Sequence, residues 1–193
     1  RYLLIDGTSQ SIGLLANGES DSQYAHAMEW TALIRPRAQR ALVIGLGAGL
    51  LPGAFERVYS MIADSVEIDP EIVAVAEKFF GFSPRGEVLV EDGRTYLARK
   101  PRRYGIVVLD AFGSESPPSH LFTREAFETM KNSLTPGGLL AVNIVTLIEP
   151  PGNEAWIATY KTLSAVFPHV RAFAGSNQQK NLGNVLLFAS EEP

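Results

Sequence analysis

The strongest constraint on this chain is a series of near-continuously apolar segments, each followed by a stretch with helical spacing. ALVIGL (41–46) precedes a helix predicted over 50–59. SVEID (65–69) precedes one over 70–80, with Pro70 at its start. EVLVED (87–92) leads into a short helix, 94–99. YGIVVLD (104–110) leads, through a loop, into a helix over 123–134 that Thr135-Pro136-Gly137-Gly138 ends. GLLAVNIV (138–145), a helix over 153–167 and two closing strands, HVRAFAG and NVLLFAS, complete the pattern. Strands that lack polar alternation are those covered on both faces. Their alternation with helices implies βαβ units and a mostly parallel sheet.

The expected fold is therefore α/β: a Rossmann-like, doubly wound, mostly parallel seven-stranded sheet. Ahead of it, YLLI (2–5) and SIGLLA (11–16) flank Asp6-Gly7, a turn signal, and predict a small β-hairpin. NGESDS (17–22) reads as a loop, and 24–34 as a helix stopped by Pro36. Residues 1–22 are thus expected to form a hairpin segment, and 23–193 the main unit. The 193 residues, 46% hydrophobic, suit one core.

The net charge of −4 argues against a nucleic-acid footprint. The run Arg99-Lys100-Pro101-Arg102-Arg103 reads as a solvated loop. The absence of cysteine excludes disulfides and thiolate metal sites, and no metal is expected. No apolar run approaches the roughly 20 residues of a membrane span, and no leader is legible. A cytoplasmic protein without membrane partners is expected. The chain opens at Arg1 rather than Met, as a segment of a longer protein would.

Gly45-Leu46-Gly47-Ala48-Gly49 directly follows the first strand of this pattern and opens a helix. Gly45, Gly47 and Gly49 allow a tight turn and a close approach of ligand to backbone. The spacing is GxGxG, with Leu50 where the dinucleotide fingerprint wants glycine, so a nucleoside is favoured over a pyrophosphate. About 20 residues on, Glu67 and Asp69 end the next strand, where an acid accepts hydrogen bonds from ribose hydroxyls. Glu91-Asp92-Gly93 ends the third strand, where a carboxylate can accept from an exocyclic adenine amine. Loop and acids share the carboxyl edge of the sheet, and that coincidence predicts an adenosine site. Asp110 ends the fourth strand, before the Gly/Ser/Pro loop GSESPPSH (113–120), and the one further acid there is Glu115.

In order, GLGAG, VEIDP, VEDGRTYL and VVLDAF resemble the class I S-adenosylmethionine-dependent transferases. More narrowly the chain resembles the spermidine synthases, which are aminopropyltransferases. IDGTSQ (5–10) is similar to that family's LDGxxQ, VEIDPEIVAVAEKFF to its second motif, and LFTREAFETMKNSLTPGGLLAVN to the segment after its catalytic loop. The resemblance implies that Gln10 and Glu67 hold the nucleoside and ribose. It implies that Asp92 with Gly93 meets the adenine amine, and that Asp110 acts on the attacking amine. It also implies a homodimer. Several positions depart from the family. Ala48 stands where its GGGDGG loop carries the acid that meets the donor's amine. Gly113 stands at the second acid of its catalytic loop. Tyr24, His26 and Glu29 match its YHE-like element out of register.

The co-substrate implied is S-adenosylmethionine or its decarboxylated form, with a small-molecule amine or other acceptor. Displacement at a carbon next to sulfonium needs in-line positioning and an unprotonated nucleophile. A carboxylate at Asp110 can orient an amine and take its proton. A diamine's second cationic end wants another acid, and Glu115 is the loop residue available to supply it. Three readings stay open at this point: aminopropyl transfer, methyl transfer from intact S-adenosylmethionine, and a nucleoside-binding module without catalysis.

Overall fold

The computed structural model describes residues 1–5, 8–13, 20–99, 103–112, 118–179 and 181–193, with the side chains of 5, 8–12 and 175–179 set aside. Strands β1 (Tyr2–Ile5) and β2 (Thr8–Ile12) form an antiparallel pair of their own, with Tyr2 opposite Ile12 and Ile5 opposite Thr8. The expected partner strand at 11–16 is corrected to β2, which starts three residues earlier. Pairing Ile5 with Thr8 leaves only a two-residue connection, the shortest common hairpin loop. The predicted turn Asp6-Gly7, and residues 14–19, lie outside the described residues.

Helix α1 (Gln23–Ile34) leads into the main sheet. Its strands are β3 (Arg40–Ile44), β4 (Ile62–Glu67), β5 (Val88–Val90), β6 (Tyr104–Leu109), β7 (Leu134–Leu147), β8 (His169–Gln179) and β9 (Leu182–Ser190). The connecting helices are α2 (Leu50–Arg57), α3 (Pro70–Phe80), α4 (Gly93–Ala98), α5 (Arg124–Asn132) and α6 (Glu154–Ser164). The spatial order is β5-β4-β3-β6-β7-β9-β8, with β9 antiparallel to both its neighbours and the other contacts parallel. The seven-stranded, mostly parallel sheet read from the sequence is the one observed.

The unbroken apolar runs are explained by two cores. Leu42 and Ile44 of β3, with Val107 and Leu109 of β6, pack with Tyr96, Phe127, Met130 and Leu163 from α4, α5 and α6. Ala41, Val43, Ile106 and Val108 point the other way, onto Met28 of α1 and Leu51 and Phe55 of α2. Successive strand residues face opposite sides, so both must be apolar when both faces are covered. Among the described residues no helix is long and apolar enough to cross a membrane.

At the amino-terminal ends of these strands sits a buried ion pair. The Arg40 guanidinium donates to both oxygens of Asp64, at 2.8 and 2.7 Å. The Tyr104 hydroxyl and the Glu87 amide donate to the same carboxylate, at 3.1 and 2.9 Å. Burial pushes the Asp64 carboxyl up, but these donors outweigh it and hold it below the usual range. The stability it contributes is therefore present above the ordinary aspartate value of about 3.9 and lost as pH falls through the lowered folded value. Asp64→Ala is expected to reduce unfolding free energy by about 3 kcal/mol at pH 7, because a half-buried guanidinium and a buried hydroxyl lose their acceptor. Urea titrations at pH 7 and pH 3 check this; the gap from wild type should narrow at the lower pH.

Candidate functional site

The chain direction switches between β3 and β6: β4 lies on one side of β3 and the later strands on the other. A crevice opens at such a point because the helices that follow the two strands cross to opposite faces. Gly45 forms its floor. Its φ is +93°, a region glycine alone enters freely, and a Cβ there would lie 2.3 Å from the Asp110 carbonyl oxygen. Gly45 donates to the Val66 carbonyl and Asp110 donates to the Ile44 carbonyl, both at 2.9 Å. The glycine turn and the acid are thus locked back to back.

Two clefts adjoin at this edge. One is lined by Ser20, Tyr24, Gly45, Gly47, Glu67 and Asp110. The other has apolar walls from Val66, Ile68, Pro118 and Leu121, with Asp92 and His120 at its rim. Gly45, Glu67 and Phe112 belong to both.

Glu67 is oriented by two backbone donors, Leu46 at 2.8 Å and Asp69 at 3.1 Å, one on each oxygen. Asp92 caps α4 through one oxygen, which accepts from the Thr95 amide (2.9 Å) and hydroxyl (3.1 Å). Its other oxygen meets Nε2 of His120 at 2.7 Å. Burial pushes the Asp92 carboxyl up, but His120 and Thr95 more than reverse this and it lies below the usual range.

Asp110 is strongly perturbed in the cleft. Burial pushes its carboxyl up to about 6, against hydrogen bonds from Asn143 and Tyr24 that hold it down. Nδ2 of Asn143 donates to it at 2.8 Å, and Nδ2 of Asn184 donates to Oδ1 of Asn143 at 2.9 Å. The second bond fixes the Asn143 amide so that its NH₂ faces the acid. Tyr24 is held protonated by the Asp110 charge, by burial and by its hydrogen bond to that carboxylate.

Gly45, Gly47, Glu67, Asp92, Gly93 and Asp110 therefore converge on the two clefts, as the sequence suggested. Gly49 and Asp69 do not line them. Gly49 is the left-handed cap of α2, packed on the Phe82 ring, and Asp69 is the exposed cap of α3, accepting from the Glu71 amide at 2.8 Å. Ala48 is buried against Leu3 and Leu50, beneath the hairpin. Of the out-of-register trio, only Tyr24 reaches the cleft; His26 and Glu29 pair with each other at 3.4 Å. Gln10 lies in β2 with its side chain outside the description, and Glu115 and Gly113 lie outside the described residues. Asn143 and Asn184 were not singled out from the sequence. The signal was there: Asn143 is a polar residue inside an apolar run, GLLAVNIV, and Asn184 opens another, NVLLFAS. Among the described residues no group of acids and histidines has metal-holding geometry.

Residues 26–174 match the family model described as Spermine/spermidine synthase domain. The chain is 36% identical over 141 residues to a polyamine aminopropyltransferase of Vibrio vulnificus (strain CMCP6), covering 70% of this chain and 46% of that protein. It spans about half the length of the curated relatives it matches, or less. A probable spermidine synthase from Corynebacterium glutamicum ATCC 13032 superimposes with a TM-score of 0.85 at 22% identity, over 98% of this chain and 72% of that one, a likeness of fold. Human methyltransferase-like protein 13, in complex with SAH, gives a TM-score of 0.74 at 25% identity, over 89% of this chain and 83% of that one.

A carboxyl group raised to about 6 weakens the fold at alkaline pH. Its favourable contribution is full below the unfolded value of about 3.9 and lost as pH rises through 6. Asp110→Asn is therefore expected to be more stable than wild type at pH 8, by up to about 3 kcal/mol, with the gap closing towards pH 4. Urea denaturation across that range measures it.

Proposed function

The chain belongs to the spermine/spermidine synthase family, and from that premise we propose that it transfers an alkyl group from an adenosyl sulfonium donor to an amine. The favoured donor is decarboxylated S-adenosylmethionine and the favoured group aminopropyl. In this reading the apolar cleft takes the adenine between Ile68 and Leu121, with Asp92 accepting from its amine. Glu67 accepts from the ribose hydroxyls, and the backbone at Gly45 and Gly47 supports the nucleoside. The sulfonium carbon then lies near Phe112, where the two clefts meet, and the amine enters beside Tyr24 and Asp110. Gln10 as a nucleoside contact, and Glu115 as the anion for a second amine, belong to the same proposal.

The observation that carries it is the state of Asp110 in a cleft continuous with a base-sized apolar pocket. An ammonium ion must lose a proton before it can attack, and an acid of pKa about 6 is a better proton acceptor than an ordinary aspartate while still ionised at pH 7. The nitrogen lone pair forms the new N–C bond, the C–S bond breaks, and its electron pair neutralises the sulfur. The amine's proton passes to Asp110. Tyr24 and Asn143 hold the carboxylate in place, so that positioning supplies most of the acceleration.

One observation favours methyl transfer as a second reading. Ala48 lies under Leu3 where the family's glycine loop carries an acid, so a donor tail that keeps its own carboxylate meets less repulsion.

Thermal shifts with 5′-methylthioadenosine, decarboxylated S-adenosylmethionine and S-adenosylhomocysteine separate these readings. Aminopropyl transfer predicts stabilisation by the first two. Tighter binding of S-adenosylhomocysteine than of methylthioadenosine overturns it in favour of methyl transfer, and no shift with any of them overturns the transferase reading. Asp110→Asn is expected to lower kcat/KM at least about 100-fold. It should also abolish the acid limb near pH 6 while leaving nucleoside binding intact.

A further inference from the structure

Asp92 has about four acceptor directions on its two oxygens. Among the described residues three are filled: the Thr95 amide and hydroxyl on Oδ1, and His120 on Oδ2. The fourth, also on Oδ2, remains at the rim of the apolar cleft that Asp92 and His120 share. His120 comes from a different part of the chain than Asp92. It lies in the single 3₁₀ turn Ser119–Leu121, just after the loop that follows β6. Nη1 of Arg94, on α4, donates to the His120 carbonyl at 3.2 Å, so the turn is tied to α4 through both backbone and side chain. Pro118 and Leu121, on either side, supply two of the cleft's walls.

We infer that His120 is a specificity-determining positioning residue: it locks Asp92 as an obligate hydrogen-bond acceptor and so selects a 6-amino purine over a 6-oxo purine. The inference rests on the nucleoside reading above and adds a residue to it. A carboxylate surrounded by three donors stays ionised, in keeping with the lowered position of the Asp92 carboxyl. Nε2 of His120 then carries the proton and donates. An ionised, fixed carboxylate accepts from an exocyclic amine. It repels the carbonyl oxygen that a 6-oxo purine presents at the same place, and leaving that carbonyl buried and unpaired adds to the discrimination. Without His120 the outer oxygen is free to rotate towards water or to take a proton, and a protonated carboxyl can donate to a carbonyl.

The test compares affinities for 5′-methylthioadenosine and 5′-methylthioinosine in wild type, His120→Ala and His120→Gln. His120 is exposed and caps no core, so both variants are expected to fold. The alanine variant should lose about tenfold in affinity for the adenosine probe, the worth of one charge-assisted hydrogen bond, with little change for the inosine probe. Selectivity then falls about tenfold. The glutamine variant, which keeps a donor, should retain most of it. If alanine and wild type discriminate the two probes equally, whether affinities stay or fall together, the inference is wrong. If wild type binds neither probe, the nucleoside reading itself fails, and this inference with it.

Discussion

The backbone contact between Gly45 and Asp110 is the constraint on which the site depends. The two residues sit at the carboxyl ends of adjacent parallel strands, where the chain turns to opposite faces of the sheet. A side chain at 45 would drive the strands apart, since its first carbon would lie 2.3 Å from the Asp110 carbonyl oxygen, far inside van der Waals contact. With glycine there, a single turn both opens the crevice and fixes the acid at its edge. The apolar cores above and below the sheet hold the two strands rigid, so the position of Asp110 is set by the fold rather than by a loop.

That position carries a penalty. A carboxylate removed from water is destabilised, and the fold answers with three neutral hydrogen-bonding groups rather than a cation. Tyr24 and Asn143 satisfy the acid without neutralising it, and Asn184 satisfies Asn143. A lysine or arginine in their place would pull the carboxyl below its usual range and leave it a poor proton acceptor. The Asp64 site shows that alternative at the opposite end of the same sheet: a guanidinium holds that carboxyl down, and the result is a structural pair. The contrast is the physical difference between an acid that binds strands together and one with the raised carboxyl that the proposed proton transfer needs.

Much of this was legible in the residues. Unbroken apolar runs and helical spacing carried the sheet, and the glycine loop with Glu67, Asp92 and Asp110 marked its carboxyl edge. Local signals were ambiguous where two roles share one residue type. Asp69 looks the same to a pattern whether it meets a ribose or caps a helix, and it caps α3. Gly49 fits a ligand loop, yet its freedom serves a left-handed cap against Phe82. Tyr24 fell out of register with the family's element because a helix face, not a sequence offset, decides what meets Asp110. The Asn143–Asn184 relay and the His120–Asp92 contact join residues far apart in sequence. Only β7 lying beside β9, and the 3₁₀ turn folding back on α4, bring them together.

Asp110 is a half-buried, weakly acidic carboxyl beside the proposed nucleoside cleft. The most direct measurement follows its side-chain carboxyl carbon by NMR through a pH titration, with and without 5′-methylthioadenosine, using Asp110→Asn to assign the resonance. A midpoint of about 6 is expected in the free protein, with a clear shift of that resonance on adding the nucleoside. A midpoint in the ordinary aspartate range near 3.9, unmoved by the nucleoside, would contradict it.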